Sequence, residues 1–277
     1  MRRFLTCLTA LAPIVFATSA QVAPDALTRA RQAYNAQQIA DAVTLANSAR
    51  AVPATRDQAA IVLGRALLER FRRVGDVTDL AVARQAVLEA AGHPPTRWTP
   101  AERTELTLAM AELLFADEHF GAAADLFEAV LDATPGQDDG ERVLEWWALS
   151  IDHYAQRGLE EKRARRYGRL LSRVELELAR RPTATALYWH AAAARGVEDL
   201  ERAWTLVRAG WVRASLLVSG DALVGVRRDL DRLMREAIIP ERARTIAAAG
   251  LPAEAQAALL AEWAAFMAAW GGSRLLP

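Results

Sequence analysis

Leu80, Ala83, Val87, Ala90 and Pro95 are separated by 3, 4, 3 and 5 residues, and Phe120, Ala123, Phe127, Val130 and Pro135 repeat those separations without a change. Gaps of 3 and 4 place four side chains on one stripe of an α-helix, and the proline marks where that helix has already stopped. An earlier copy, Ile39, Ala42, Ala46, Ala49 and Pro53, has gaps of 3, 4, 3 and 4, so the copies recur at 41 and then 40 residues. Each follows another apolar helical segment: Leu27, Ala30 and Tyr34; then Leu63-Gly64, Leu67 and Phe71; then Leu106, Met110, Leu113 and Leu114. Two helices per unit, with a small residue where they cross and a proline before the next unit, predict stacked helical hairpins. At Ala42, Ala83 and Ala123 a larger side chain would push the paired helices apart, and overpacking costs roughly 1–3 kcal/mol.

Phe120, Ala123, Phe127, Val130 and Pro135 resemble the second-helix signature of the tetratricopeptide repeat family, and Leu63-Gly64 with Leu67 resembles part of its first-helix signature. The resemblance covers residues 24–182, with later copies degenerate. It implies an all-α fold, a right-handed superhelical array of antiparallel helix hairpins (an α-solenoid) with a C-terminal helical cap, and it names no activity. Two features depart from the family: a period of about 40 where the family has roughly 34, and a long connecting segment, Arg73-Val74-Gly75-Asp76-Val77-Thr78. The expected organisation is a cleaved signal peptide at 1–20, helical repeats at 21–182, and a helical extension at 183–277 continuous with the array.

The export segment is read from Met1-Arg2-Arg3, the mostly apolar run Phe4 to Ala17, and small residues before Gln21, with cleavage expected after Ala20. The run is shorter than the ~20 residues that span a bilayer, and no later apolar run reaches that length, so a soluble periplasmic or extracellular protein is expected. Cys7, the only cysteine, would be discarded with the signal. Formal charge is 34 basic against 34 acidic residues, and loss of Arg2 and Arg3 leaves about −2, which disfavours a nucleic-acid partner. Every basic residue but Lys162 is arginine, a bias read here as genomic composition rather than chemistry.

Further along, Trp146-Trp147 opens a segment with Leu149, Ile151 and Tyr154 that stops at Gly158. Residues 159–181 form a charged helix whose apolar side is Leu159, Tyr167, Leu170, Leu171, Val174 and Leu178, with Glu160 to Arg166 as a solvated face. Leu200, Trp204, Val207 and Trp211 share one helical face, and Leu223, Val226, Leu230, Leu233 and Met234 share another. Ile238-Ile239-Pro240-Glu241-Arg242 reads as a sharp junction, and Pro252 as the opening of a last helix with the stripe Leu259, Trp263, Phe266, Met267 and Trp270. That helix caps the array or makes a homo-oligomer contact.

No catalytic constellation emerges. His93, His119, His153 and His190 form no metal-binding spacing, and there is no phosphate loop, nucleophile elbow or dinucleotide fingerprint, so no cofactor or metal is expected. Function is therefore sought in geometry. The first helix of each hairpin lines the concave side of such an array, and its face away from the packing stripe carries Arg31, Tyr34, Arg65, Leu68, Glu112, Phe115 and Asp152. Tyr34, Leu68 and Phe115 would act as apolar anchors and Arg65 as a charged orienting group, unless these residues only fill the interface between repeats. The leading expectation is an exported non-enzymatic scaffold that holds a protein or peptide partner in this groove. The alternative is a periplasmic small-molecule-binding accessory of an envelope transporter, with Trp146, Trp147, Trp189 and Trp204 around the ligand. An enclosed volume of about 300–1,000 Å³ would favour the second, and an open groove the first.

Overall fold

The computed structural model describes residues 25–134, 140–250 and 254–271, so the expected signal peptide at 1–20 with Cys7, together with Pro135 and Pro252, lies outside the described residues. Among the described residues the chain is all-helical and contains no strand. The helices are α1 (Ala26–Asn35), α2 (Ile39–Arg50), α3 (Arg56–Val74), α4 (Val77–Ala91), α5 (Pro100–Ala116), α6 (Phe120–Ala133) and α7 (Gly140–Gln156). They continue with α8 (Glu160–Arg180), α9 (Ala184–Gly196), α10 (Leu200–Leu217), α11 (Gly220–Leu233), α12 (Ile239–Ala248) and α13 (Ala255–Trp270).

The three copies of the sequence stripe fall on α2, α4 and α6. Their residues are buried, apart from the half-buried Leu80. The same gaps of 3, 4 and 3 recur on α10 as Leu200, Ala203, Val207 and Gly210, with Ala203, Val207 and Gly210 buried. Gly64 shows why small residues sit at the crossings: a Cβ there would lie 2.5 Å from Cγ2 of Val87 on α4.

Consecutive helices pack as adjacent pairs. In addition α1 packs on α3, α3 on α5, α7 on α9 and α9 on α11, whereas among the described residues α2, α4, α6, α8 and α10 make no comparable contact with one another. A repeated turn sets this alternation. Gln37, Glu118 and Glu198 all adopt the left-handed conformation, at φ of 60°, 62° and 64°. Around each, the chain makes the same hydrogen bonds: Gln38 N–H to Ala33 O, His119 N–H to Leu114 O and Asp199 N–H to Ala194 O close the preceding helix from five residues away. Gly75 takes the corresponding place between α3 and α4 at φ 80°.

Several sequence expectations are corrected. The segment Arg73–Thr78 is no long connection: α3 runs on to Val74 and α4 starts at Val77, so the extra residues lie in α3. Gly75 stops that helix in the left-handed region, and Glu69 accepts from Arg72 and Arg73 to hold its last turn. Trp146-Trp147 lies inside α7 and does not open it. Leu159 sits at the N-cap of α8 and is 71% exposed, outside the apolar face. Pro240 makes no sharp junction. A π turn, Met234–Ile238, carries α11 into α12 with Ile239 N–H bonded to Met234 O, and the wider turn accommodates a proline that has no N–H to donate.

The core runs through the molecule in three large clusters, with a smaller fourth of Ala33, Tyr34, Ile39, Ala42 and Ala66 at the α1–α2 end. α5 gives Leu106, Ala109 and Leu113 to the first and Ala111 to the second. In the same way α9 gives Ala186, Trp189 and Ala193 to the second and Ala191 and Ala194 to the third. Residues 182–183 lie between α8 and α9, two helices that share the second cluster through Leu170, Val174 and Ala186. Leu259 and Trp263 of α13 are buried in the third cluster. No helix among the described residues is long and apolar enough to cross a membrane.

Candidate binding groove

α1, α3, α5 and α7 open onto a common groove of about 520 Å³. The residues reach it by helical spacing: Arg65, Leu68, Glu69 and Arg72 along α3, Glu112, Phe115 and Ala116 at the end of α5, and Arg142, Trp146 and His153 along α7. Tyr34 and Gln37 enter from α1 and its turn, and Glu118 and Phe120 from the turn into α6.

One end is aromatic. The Phe115 ring meets Phe120, Trp146 and His153 edge-on, at centroid distances of 5.1, 4.8 and 5.7 Å, and His153 stacks on Phe120 at 4.7 Å. The other end is charged. Arg65 donates from Nε and Nη2 to the two carboxylate oxygens of Glu112, both at 3.1 Å, and its guanidinium lies 4.8 Å from the centre of the Tyr34 ring. Burial alone would lower the Arg65 pKa, but the Glu112 carboxylate raises it on balance and keeps the cation. Burial also pushes the Tyr34 phenol up to about 12.

Three rings of the groove share one arrangement, in which an arginine covers a face and a glutamate holds the arginine. Arg65 and Glu112 serve Tyr34. Arg72, paired with Glu69 at 2.6 Å, lies 5.2 Å from Trp146. Arg157, paired with Glu118 at 3.0 Å, lies 4.6 Å from Phe120. Burial opposes the ionisation of Glu69, yet the hydrogen bonds from Arg72 and Arg73 hold its carboxyl below the usual range. These three carboxylates are all engaged by arginine, in charge-assisted pairs at 2.6 to 3.1 Å.

A second groove of about 410 Å³ lies between α7, α9 and α11, lined among others by Glu145, Asp152, Tyr188, Trp189, Asp229 and Arg232. Asp152 accepts from the Tyr167 hydroxyl at 2.5 Å and from Gln156 at 2.6 Å. Burial raises the Glu145 carboxyl, aided by Glu141 and Asp229 and opposed by Arg72. Glu145 is itself exposed at the edge of this groove.

Tyr34, Arg65, Leu68, Glu112 and Phe115 therefore meet in the first groove, together with Trp146. Asp152 and Trp189 line the second. Arg31 lines neither and pairs with Glu105 at 2.8 Å. The four tryptophans do not surround one volume. Trp147 is fully buried in the second cluster with no hydrogen-bond partner for its indole N–H, and Trp204 is buried in the third beneath Arg242. Sequence reasoning missed Glu69, Phe71, Arg72, Arg142 and His153. The spacing that selects Arg65 and Leu68 reaches Glu69 and Arg72 when carried one turn further, so that signal was present.

The histidines stay apart: His93 lies beside Asp57, His119 precedes α6 without a side-chain bond to its first turn, His153 is in the first groove and His190 lies beside Glu175. Among the described residues no group of three or more His, Cys, Asp or Glu is placed to hold a metal ion. The chain matches no family model, no curated protein and no solved structure.

Proposed function

We propose that this chain is an exported, non-enzymatic scaffold of the tetratricopeptide-like α-solenoid kind, and that it binds a short segment of a protein or peptide in the groove of α1, α3, α5 and α7. The array reading is supported by the contacts of α1 with α3, α3 with α5, α7 with α9 and α9 with α11, and by the turn that recurs at Gln37, Glu118 and Glu198. α11 to α13 then serve as the cap. Export is supported by the basic head, apolar run and small residues of positions 1–20.

The observation that carries the binding reading is convergence. Four helices from separate parts of the chain aim aromatic rings at one volume and back them with arginine–glutamate pairs. Rings fixed in this way lose little freedom when a partner docks, which is the usual basis of a binding hot spot. A second reading, a small apolar or aromatic ligand in the same groove, is favoured by its volume of about 520 Å³, within the range of about 300–1,000 Å³ common to ligand pockets.

A photo-crosslinking amino acid at Phe115, with the exposed Leu88 of α4 as control, tests both readings when combined with native mass spectrometry of protein purified from its host envelope. Crosslinks to polypeptide from position 115 and not from 88 are expected. A retained small-molecule mass that is lost on denaturation would transfer the groove to the second reading, and neither signal would overturn both.

A further inference from the structure

α7 contributes to two grooves at once. Arg142, Trp146 and His153 face the aromatic groove, while Glu145, Leu149 and Asp152 face the second. The two sites are thus neighbours across a single helix, and a segment lying over the odd-numbered helices would cross both. Their chemistry differs. In the first, glutamates are matched by arginines. The second brings Glu145, Asp152 and Asp229 against a single guanidinium, Arg232.

That imbalance is absorbed only in part. Asp152 is engaged by the neutral Tyr167 hydroxyl and Gln156 amide, and Asp229 touches the exposed Arg228 at 3.3 Å. Arg72 acts on Glu145 from a distance, without a hydrogen bond. The groove wall is therefore short of positive charge where Tyr188 and Trp189 offer ring surface, a setting that suits a cation on an apolar stem.

Building on the scaffold reading above, we propose that the partner segment is bipartite: an aromatic or branched aliphatic side chain seats among Phe115, Phe120 and Trp146, and a lysine or arginine enters the second groove between Glu145 and Asp229. The spacing follows from the helix between them. An α-helix with its side chains is about 10 Å across and an extended chain advances about 3.3 Å per residue, so the two partner residues stand about three positions apart.

The test uses the full chain and fluorescein-labelled nonapeptides of glycine and serine carrying one Trp and one Lys at offsets of one to six, with Glu replacing Lys in a matched set, read by fluorescence anisotropy. Tightest binding is expected at offsets of three to four, with the Lys peptides about fivefold tighter than their Glu counterparts, the scale of two partly exposed ion pairs. In Glu145→Gln/Asp229→Asn that preference should vanish while Trp-dependent binding remains, and Phe115→Ala should weaken every peptide by more than about tenfold. Circular dichroism confirms that each variant is folded. Binding that needs Trp but ignores charge or offset overturns the bipartite segment and leaves the groove reading standing, as does a preference for Glu. Failure of all peptides to bind overturns both.

Discussion

The Arg65–Glu112 pair staples α3 to α5 at the charged end of the groove, and removing its members singly and together separates fold from function. The two hydrogen bonds are each 3.1 Å long, and the side chains are only 9% and 13% exposed. Glu112→Leu leaves a buried guanidinium with the Tyr34 ring as its remaining close partner, so the loss should approach that of a broken buried pair, about 3 kcal/mol. Arg65→Met strands the slightly more exposed Glu112 and should cost about 2 kcal/mol. The double variant leaves neither charge and fills the space with carbon, so it should lie within about 1 kcal/mol of the parent, which requires a coupling energy of about 4 kcal/mol. Urea unfolding followed by far-ultraviolet circular dichroism gives these values, with unchanged slopes confirming comparable transitions. A double variant as unstable as Glu112→Leu, or a single cost below about 1 kcal/mol, would refute the desolvation argument. A stable double variant that no longer binds peptide would make Arg65 an orienting group for the partner; one that binds normally would confine the pair to the fold.

Because burial raises the Tyr34 phenol to about 12 from 10.0, the unfolded chain loses this proton first as pH rises; stability is complete below pH 10 and falls between pH 10 and 12 by up to about 2.7 kcal/mol. Tyr34→Phe should remove that share of the alkaline slope in urea titrations. Tyr167, raised chiefly by burial and then by its bond to Asp152, adds a second share that Tyr167→Phe removes. At Gly196 a Cβ would overlap the Tyr167 ring, which is buried and tethered to Asp152, so Gly196→Ala should cost about 2 kcal/mol despite its better helix propensity and lower Tm by about 5 °C. Glu198 is exposed at φ 64°, so Glu198→Val should destabilise by about 1–2 kcal/mol while Glu198→Gly should be neutral or better in the same melting assay.

The buried stripes were legible because they obey helix periodicity and leave a proline after each copy. The turns between the helices were not, since their left-handed positions carry Gln37, Glu118 and Glu198, exposed polar residues with no glycine to announce them. Pro240 misled for the opposite reason. Proline is a strong stop signal, but a π turn that already lacks the regular bond absorbs it, and nothing local in Met234–Ile238 announces that turn. The groove was half legible. Tyr34, Arg65, Leu68, Glu112 and Phe115 follow from projecting one face of each first helix, whereas Arg72 and Arg142 resemble a solvated surface until packing places both in the groove, Arg72 between the Trp146 ring and Glu69.

The near absence of lysine acquires a structural meaning that composition could not supply. The ring–arginine–glutamate unit occurs outside the groove as well: Arg242 lies 4.9 Å from Trp204 and pairs with Glu201 at 2.5 Å, and Arg208 lies 4.5 Å from Phe266 and pairs with Glu262 at 3.5 Å. A planar guanidinium can lie on a ring while its edge engages a carboxylate, which an ammonium does less well, so the arginine bias serves a packing device as well as any genomic preference. In the C-terminal part the device joins α10 to α12 and to α13. In the groove of α1, α3, α5 and α7 the same device backs Tyr34, Phe120 and Trp146; Tyr34 and Phe120 are themselves buried, so under the binding proposal above it is the half-buried rings of Trp146 and Phe115 that remain for a partner to cover.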